Sequence, residues 1–179
     1  MRNFANKIWN ASRFVMMNLT IDKCELPAAD ALAPEDKWVL SKLNTLVKEV
    51  TENLDAYEIG VASAKVYDFL WDTYCDWYIE LTKTRLQGED EGAKLAAQNV
   101  LCFVLTELLK LLHPFMPFIT EEIYQALPHE EQFIMTSRWP EYRADLAFPE
   151  EEAAMEAVMD TIKAIRARRA EMNLSLIHI

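Results

Sequence analysis

Glycine is nearly absent from this chain, with three in 179 residues. That scarcity leaves no Gly-rich loop to cradle a phosphate and no strand pair with turn signals between its members. Cysteine is as sparse. Cys24, Cys75 and Cys102 lie far apart and are odd in number, so they cannot all pair, and they read as reduced thiols of a cytoplasmic protein. Neither they nor His113, His129 and His178 show metal-ligand spacing, so no metal site is expected. No nucleophile stands beside a base, so no catalytic residue is expected either. Residues 2–19 alternate polar and apolar types, unlike a signal peptide, and Glu107 and Lys110 interrupt the longest apolar run, which argues against a membrane span.

What is present is helical pattern. Hydrophobic residues make up 51% of the chain, enough for a real core in a single domain. Apolar spacing predicts six helices: from about Arg2 to Leu19, from Pro34 to about Val50 and beyond, Glu58 to Leu86, Glu89 to Leu112, Thr120 to Leu127, and Pro149 onward. Pro34 suits a first helical turn, with Glu35 and Asp36 at the positive end of the dipole. Val100 to Leu112 is apolar nearly all round and should be the most buried stretch. Thr120 is the expected N-cap of the fifth helix. Residues 129–148 read as irregular, anchored by Trp139-Pro140. The expectation is an all-α, antiparallel bundle of about six helices spanning residues 1–173. The apolar tail 174–179 is atypical and reads as a truncation or artefact.

The first helix has an unusual outer face. At about 100° per residue, Phe4, Ile8, Ala11, Val15 and Leu19 form its core stripe, and Trp9 falls at the border on the core side. The opposite arc holds Arg2, Asn3, Asn6, Lys7, Asn10, Arg13, Phe14 and Met17, with no carboxylate among them. A solvated face usually mixes Glu with Lys, and Asn is a mediocre helix former. Cations hold phosphate, amides bond base edges and a ring stacks on an unpaired base, so the arc suits a single-stranded nucleic acid. The alternative is that these side chains cap loops and pair with neighbouring acids.

Charge distribution bears on the same question. The net charge is −11, which on its face opposes nucleic-acid binding. Yet residues 1–19 carry three cations and no acid, and residues 163–171 carry Lys163, Arg166, Arg168 and Arg169 against Glu171, leaving −17 on the rest. Lys163, Arg166 and Arg169 could touch a phosphate backbone or offset the dipole of the last helix. Asp72, Asp76 and Glu80 share a face at i, i+4, i+8. With no His nearby they read as solvated acids or partners of another helix's cations. Trp71, Tyr74, Trp77 and Tyr78 read as core and rim aromatics.

The run Arg2-Asn-Phe-Ala-Asn-Lys-Ile-Trp-Asn-Ala-Ser-Arg-Phe14 resembles the first helix of the anticodon-binding domain of valyl-tRNA synthetases, which are class I enzymes. Further segments match in order: DKWVLSKLN from Asp36, FLWDTYCDWYIELTK from Phe69, HPFMPFITEEIYQ from His113, SRWP from Ser137 and AIRARRAEMN from Ala164. HPFMPFITEEIYQ is shared more loosely with isoleucyl and leucyl relatives. The resemblance implies a piece that grips the anticodon stem-loop of valine tRNA beside the catalytic domain of its parent. It also implies a parent that uses ATP and Mg to charge tRNA with valine. The HIGH and KMSKS signatures of the ATP site are missing, so this piece should hold no cofactor and be inactive alone. A monomer is expected. The competing reading is a helical protein-interaction module without an RNA role.

Overall fold

The computed structural model describes residues 2–172, and of Arg2 the backbone only. The Arg2 side chain and the tail 174–179 lie outside the described residues. Among those described, helices dominate and no strand occurs. We number six: α1 Arg2–Asn18, α2 Pro34–Asp55, α3 built from Ile59–Asp68, Phe69–Tyr78 and Ile79–Leu86, α4 Glu91–Leu112, α5 Pro117–Gln125 and α6 Pro149–Glu171. Two short 3-10 turns, Ile134–Thr136 and Ala144–Leu146, punctuate the irregular stretch.

The core forms where the apolar stripes converge. Phe4, Ile8, Ala11 and Val15 of α1 are buried as their spacing predicts. α4 is the hub. From Ala96 to Leu112 it exposes no residue, and Leu101, Leu105, Leu108 and Leu109 are wholly enclosed. By length and composition α4 could cross a membrane, contrary to the reading of Glu107 and Lys110 as interruptions, but 72% of its apolar window is buried within the bundle. Glu107 and Lys110 pair with each other at 2.6 Å, so their charges do not keep the helix from packing. Asp90 caps α4, accepting from the N–H groups of Gly92 and Ala93.

Ion pairs record the direction of packing. Glu49 of α2 meets Lys65 near the α2–α3 turn, while Asp36 at the far end of α2 meets Tyr78 and Arg85 of α3, so the two helices are antiparallel. Tyr57 makes the turn with a positive φ of 62°. α6 differs: Lys37, Ser41 and Lys42 meet Glu151, Glu152 and Glu156 in ascending order, so α6 runs parallel to α2. The irregular stretch before it carries the chain back across the bundle. There the Trp139 indole N–H donates to Thr51 Oγ1 at 2.9 Å and Pro140 is buried, as the anchor reading requires.

Three expectations are corrected. α5 starts a turn earlier than Thr120, with Pro117 in its first turn and Met116 as N-cap. Proline fits that first turn because it lacks the N–H that would go unpaired there. Thr120 is instead buried, its hydroxyl bonding the Met116 carbonyl at 2.9 Å and His113 Nδ1 at 2.7 Å. Trp9 is 40% exposed rather than core, because it sits past the edge of the stripe that α4 and α5 cover. Finally, the middle of α3, Phe69–Tyr78, is a π-helix, with the Ile79 N–H reaching the Tyr74 carbonyl five residues back. Its buried pairs, Phe69–Leu70, Tyr74–Cys75 and Tyr78–Ile79, recur at five and then four residues, wider than α spacing. That wider turn lets four bulky aromatics divide between core and rim: Tyr74 and Tyr78 are buried, Trp71 and Trp77 half-buried.

Candidate nucleic-acid interface

α1 presents its polar arc because Phe4, Ile8, Ala11 and Val15 fasten the other side to the core. Asn3, Asn6, Asn10 and Arg13 are exposed along that arc. None of the three amides makes a side-chain hydrogen bond among the described residues, and Arg13 has no ion-pair partner there. Two further members of the predicted set are placed differently. Lys7 turns toward the π segment, where its Nζ lies 2.5 Å from Asp76 and 4.2 Å from the Trp71 ring centroid. Phe14 is half-buried and packs on the core, with Lys83 of α3 5.7 Å from its ring. No pattern along the chain marks Lys83 as a neighbour of α1. It pairs with Glu80 on its own helix, and only folding brings it to α1.

The basic end of α6 approaches the same π segment. Arg166 lies 5.7 Å from the Trp77 ring and has no ion-pair partner among the described residues. Lys163 is exposed, 3.6 Å from Asp160, and Arg169 is half-buried. Between α2, the π segment and α6 opens a cleft of about 490 Å³ lined by Lys42, Asp72, Asp76, Trp77, Glu156 and Lys163, with Trp38 among its walls. Burial works against the Lys42 charge, but bonds to Glu156 and Glu152 outweigh it and hold its pKa above the usual value. Asp76 is thus shared: it lines this cleft and binds Lys7. Of the acids expected to be solvated or to pair with another helix's cations, Asp76 pairs with Lys7 of α1, Glu80 pairs with Lys83 on its own helix, and Asp72 stays exposed.

One buried network frames this region from within. Asp36 is wholly buried and takes both guanidinium nitrogens of Arg85 at 2.6 and 2.7 Å, the Tyr78 hydroxyl at 2.6 Å and the Ala33 N–H at 3.1 Å. Glu35 adds a contact to Arg85 Nε at 3.0 Å. Burial, then the adjoining Asp36 carboxylate, push the Tyr78 hydroxyl well above the usual phenol range. Burial opposes the Arg85 charge, but Asp36 and Glu35 outweigh it. From sequence Asp36 reads as a first-turn acid near the positive end of the helix dipole; no signal along the chain pairs it with Arg85.

The molecule is a helical bundle in which an exposed, carboxylate-free amide-and-cation helix and a second basic helix each reach one π segment. Residues 36–178 match the family described as the anticodon-binding domain of tRNA ligase, and the chain belongs to that family. Among individual proteins it is 55% identical to the valine–tRNA ligase of Clostridium tetani over 174 residues, 97% of this chain and 20% of that ligase. It is 51% identical to that of Carboxydothermus hydrogenoformans over 97% of the chain and 48% identical to that of Bacillus cereus over 96%, again covering 20% of each ligase. The chain therefore spans about a fifth of the length of these relatives. α1 precedes the family match but falls within the longer alignments, which leave few residues uncovered.

Proposed function

We propose that this domain holds the anticodon stem-loop of a valine tRNA for a valine–tRNA ligase. The observation that carries the reading is α1: Asn3, Asn6, Asn10 and Arg13 are exposed together, unpaired and free of carboxylates, in a region shared with valine–tRNA ligases. Loop bases expose edges and faces that such side chains can bond, while stem phosphates suit Arg13 and the α6 cations Lys163, Arg166 and Arg169. The acidic remainder of the chain favours one docking register by repelling RNA elsewhere. ATP and Mg serve the catalytic domain of the parent, which acts as a monomer in the cytoplasm and joins valine to the tRNA 3′ end. This domain's share is to admit only the tRNA whose anticodon fits α1.

The test is retention of total tRNA on the immobilised 179-residue chain, followed by sequencing of the bound species. Enrichment of valine tRNAs supports the reading. Retention of no tRNA would sink it in favour of a protein-interaction module, and enrichment of isoleucine or leucine tRNAs would reassign the specificity.

A further inference from the structure

The five tryptophans of the chain meet different surroundings. Trp38 is enclosed. Trp71 stacks on Tyr67 at 5.8 Å and lies beneath Lys7. Trp77 lies beneath Arg166, and the Trp139 indole is tied to Thr51. Trp9 is 40% exposed and, among the described residues, has no ring, cation or hydrogen-bond partner. Helix geometry sets its place on α1. It stands about 40° round the helix from Arg13 and about 60° from Asn6. Trp9 is thus one edge of the exposed arc, and Lys7 and Phe14 are the other. Trp9, Arg13 and Met17 follow at i, i+4 and i+8, so they form one row along the surface, and Met17 is 79% exposed. No carboxylate stands on this row or on the Asn6–Asn10 row beside it. Apolar area open to water is unfavourable until an occupant covers it. A cation without carboxylates selects a polyanion, and an open ring selects a flat face. An RNA loop offers both.

We propose that Trp9 is a base-stacking residue of this domain. Its indole takes the face of an unpaired anticodon-loop base, while Arg13, about 6 Å further along the helix axis, holds the phosphate beside it. The assignment rests on the domain's binding an anticodon stem-loop, and it adds a residue that apolar spacing puts with the core. Phe14 is the more enclosed ring, half-buried against the core with Lys83 nearby. Trp9 keeps more of its surface open. Every base has a π face, so stacking on Trp9 contributes affinity whatever the base. Asn6 and Asn10 meet base edges, which differ between bases, so discrimination falls to them. Affinity and specificity are thereby divided between neighbouring rows of one helix.

The experiment titrates the 179-residue chain with three synthetic RNAs: a valine anticodon stem-loop, the same stem with an unrelated loop, and the same stem with an abasic loop. Trp9→Leu keeps an apolar side chain but removes the π face. It should weaken binding of both intact loops by the same factor, about five- to 150-fold. The salt slope should not change, because no cation is lost. Wild type and Trp9→Leu should bind the abasic loop alike. Trp9→Phe retains a ring and should keep most of the affinity. Urea midpoints report whether each variant is folded. A footprint on the wild-type chain needs no variant: hydroxyl-radical oxidation of Trp9, mapped by mass spectrometry, should fall when the intact valine stem-loop is bound. Unchanged affinity in Trp9→Leu, an equal loss on intact and abasic loops, or undiminished Trp9 oxidation in the complex would each overturn the assignment. In those cases the anticodon reading stands and the open indole belongs to a protein contact or to packing. A wild-type chain that binds no stem-loop would overturn that reading, and the role of Trp9 with it.

Discussion

Lys7 and Asp76 are 69 residues apart in the chain, yet their side chains form an ion pair between α1 and the π segment. Lys7 thereby has an intramolecular carboxylate partner that competes with an RNA phosphate for it. Asp76→Asn should release it. RNA affinity should rise, and the salt dependence should steepen by about 0.7 in log–log slope for one added cation on single-stranded RNA. Titration of a valine anticodon stem-loop at several salt concentrations measures both. An unchanged slope would mean that Lys7 does not reach RNA even when freed.

Phe14 faces two demands, because its ring is half-buried against the core and stands near Lys83. Phe14→Ala should therefore destabilise the domain as well as weaken RNA binding. Stacking loss on the RNA side should be roughly 1–3 kcal/mol with little change in salt slope. Urea unfolding separates the two effects. Asn10→Ala, exposed on the same helix, should leave the unfolding midpoint in place and reduce discrimination between cognate and non-cognate loops.

Leu105 and Leu108 are wholly enclosed in the hub helix. Each Leu→Ala substitution removes buried methyl groups and leaves a cavity, so each should cost roughly 2–5 kcal/mol of stability. Equilibrium denaturation provides the measurement, and a loss below about 1 kcal/mol at both sites would displace α4 from the centre of the core.

Arg85→Ala should be among the most damaging changes that leave the apolar core intact. It strands the buried Asp36 carboxylate with only the Tyr78 hydroxyl and one backbone N–H, and breaking a buried pair from one side costs about 3–5 kcal/mol. The same denaturation assay applies. Lys83→Ala, an exposed-pair control on the same helix, should cost no more than about 1 kcal/mol.

Alkaline pH should unfold the domain progressively. Tyr74, Tyr78 and Cys75 have raised values in the fold, chiefly through burial, with Cys75 at about 12. Above the unfolded values, near 8.5 for Cys and 10 for Tyr, the unfolded chain loses protons that the folded chain retains. Their contribution is therefore complete below those values and falls as pH rises toward the folded ones. Urea midpoints measured from pH 7 to 11 should decline from about pH 8.5 upward, and Cys75→Ala should delay the onset.

Much of the fold is legible along the chain because periodicity is a local property. The α1 stripe, the all-round apolar run of α4 and the Trp139-Pro140 anchor each appear in the structure where their spacing or chemistry places them. The interface is legible in part. Asn3, Asn6, Asn10 and Arg13 are exposed because their arc opposes the core stripe. Lys7 and Phe14 lie on the flanks of that arc, and whether a flank meets solvent depends on how far the neighbouring helix reaches. Trp9 shows the same limit from the other side, since it borders the stripe and remains uncovered.

The sequence by itself determined the helical class, the six segments, the hub helix and the carboxylate-free face of α1, since each follows from residue types repeating at the helical period. Only the tertiary structure decided what long-range packing controls. It set the parallel course of α6 along α2 and brought both basic helices to one π segment. It also joined Asp36 with Arg85 across a long sequence separation. A helical pattern specifies which face is buried, whereas the partner of a polar side chain is specified only when a second element, encoded elsewhere, arrives beside it.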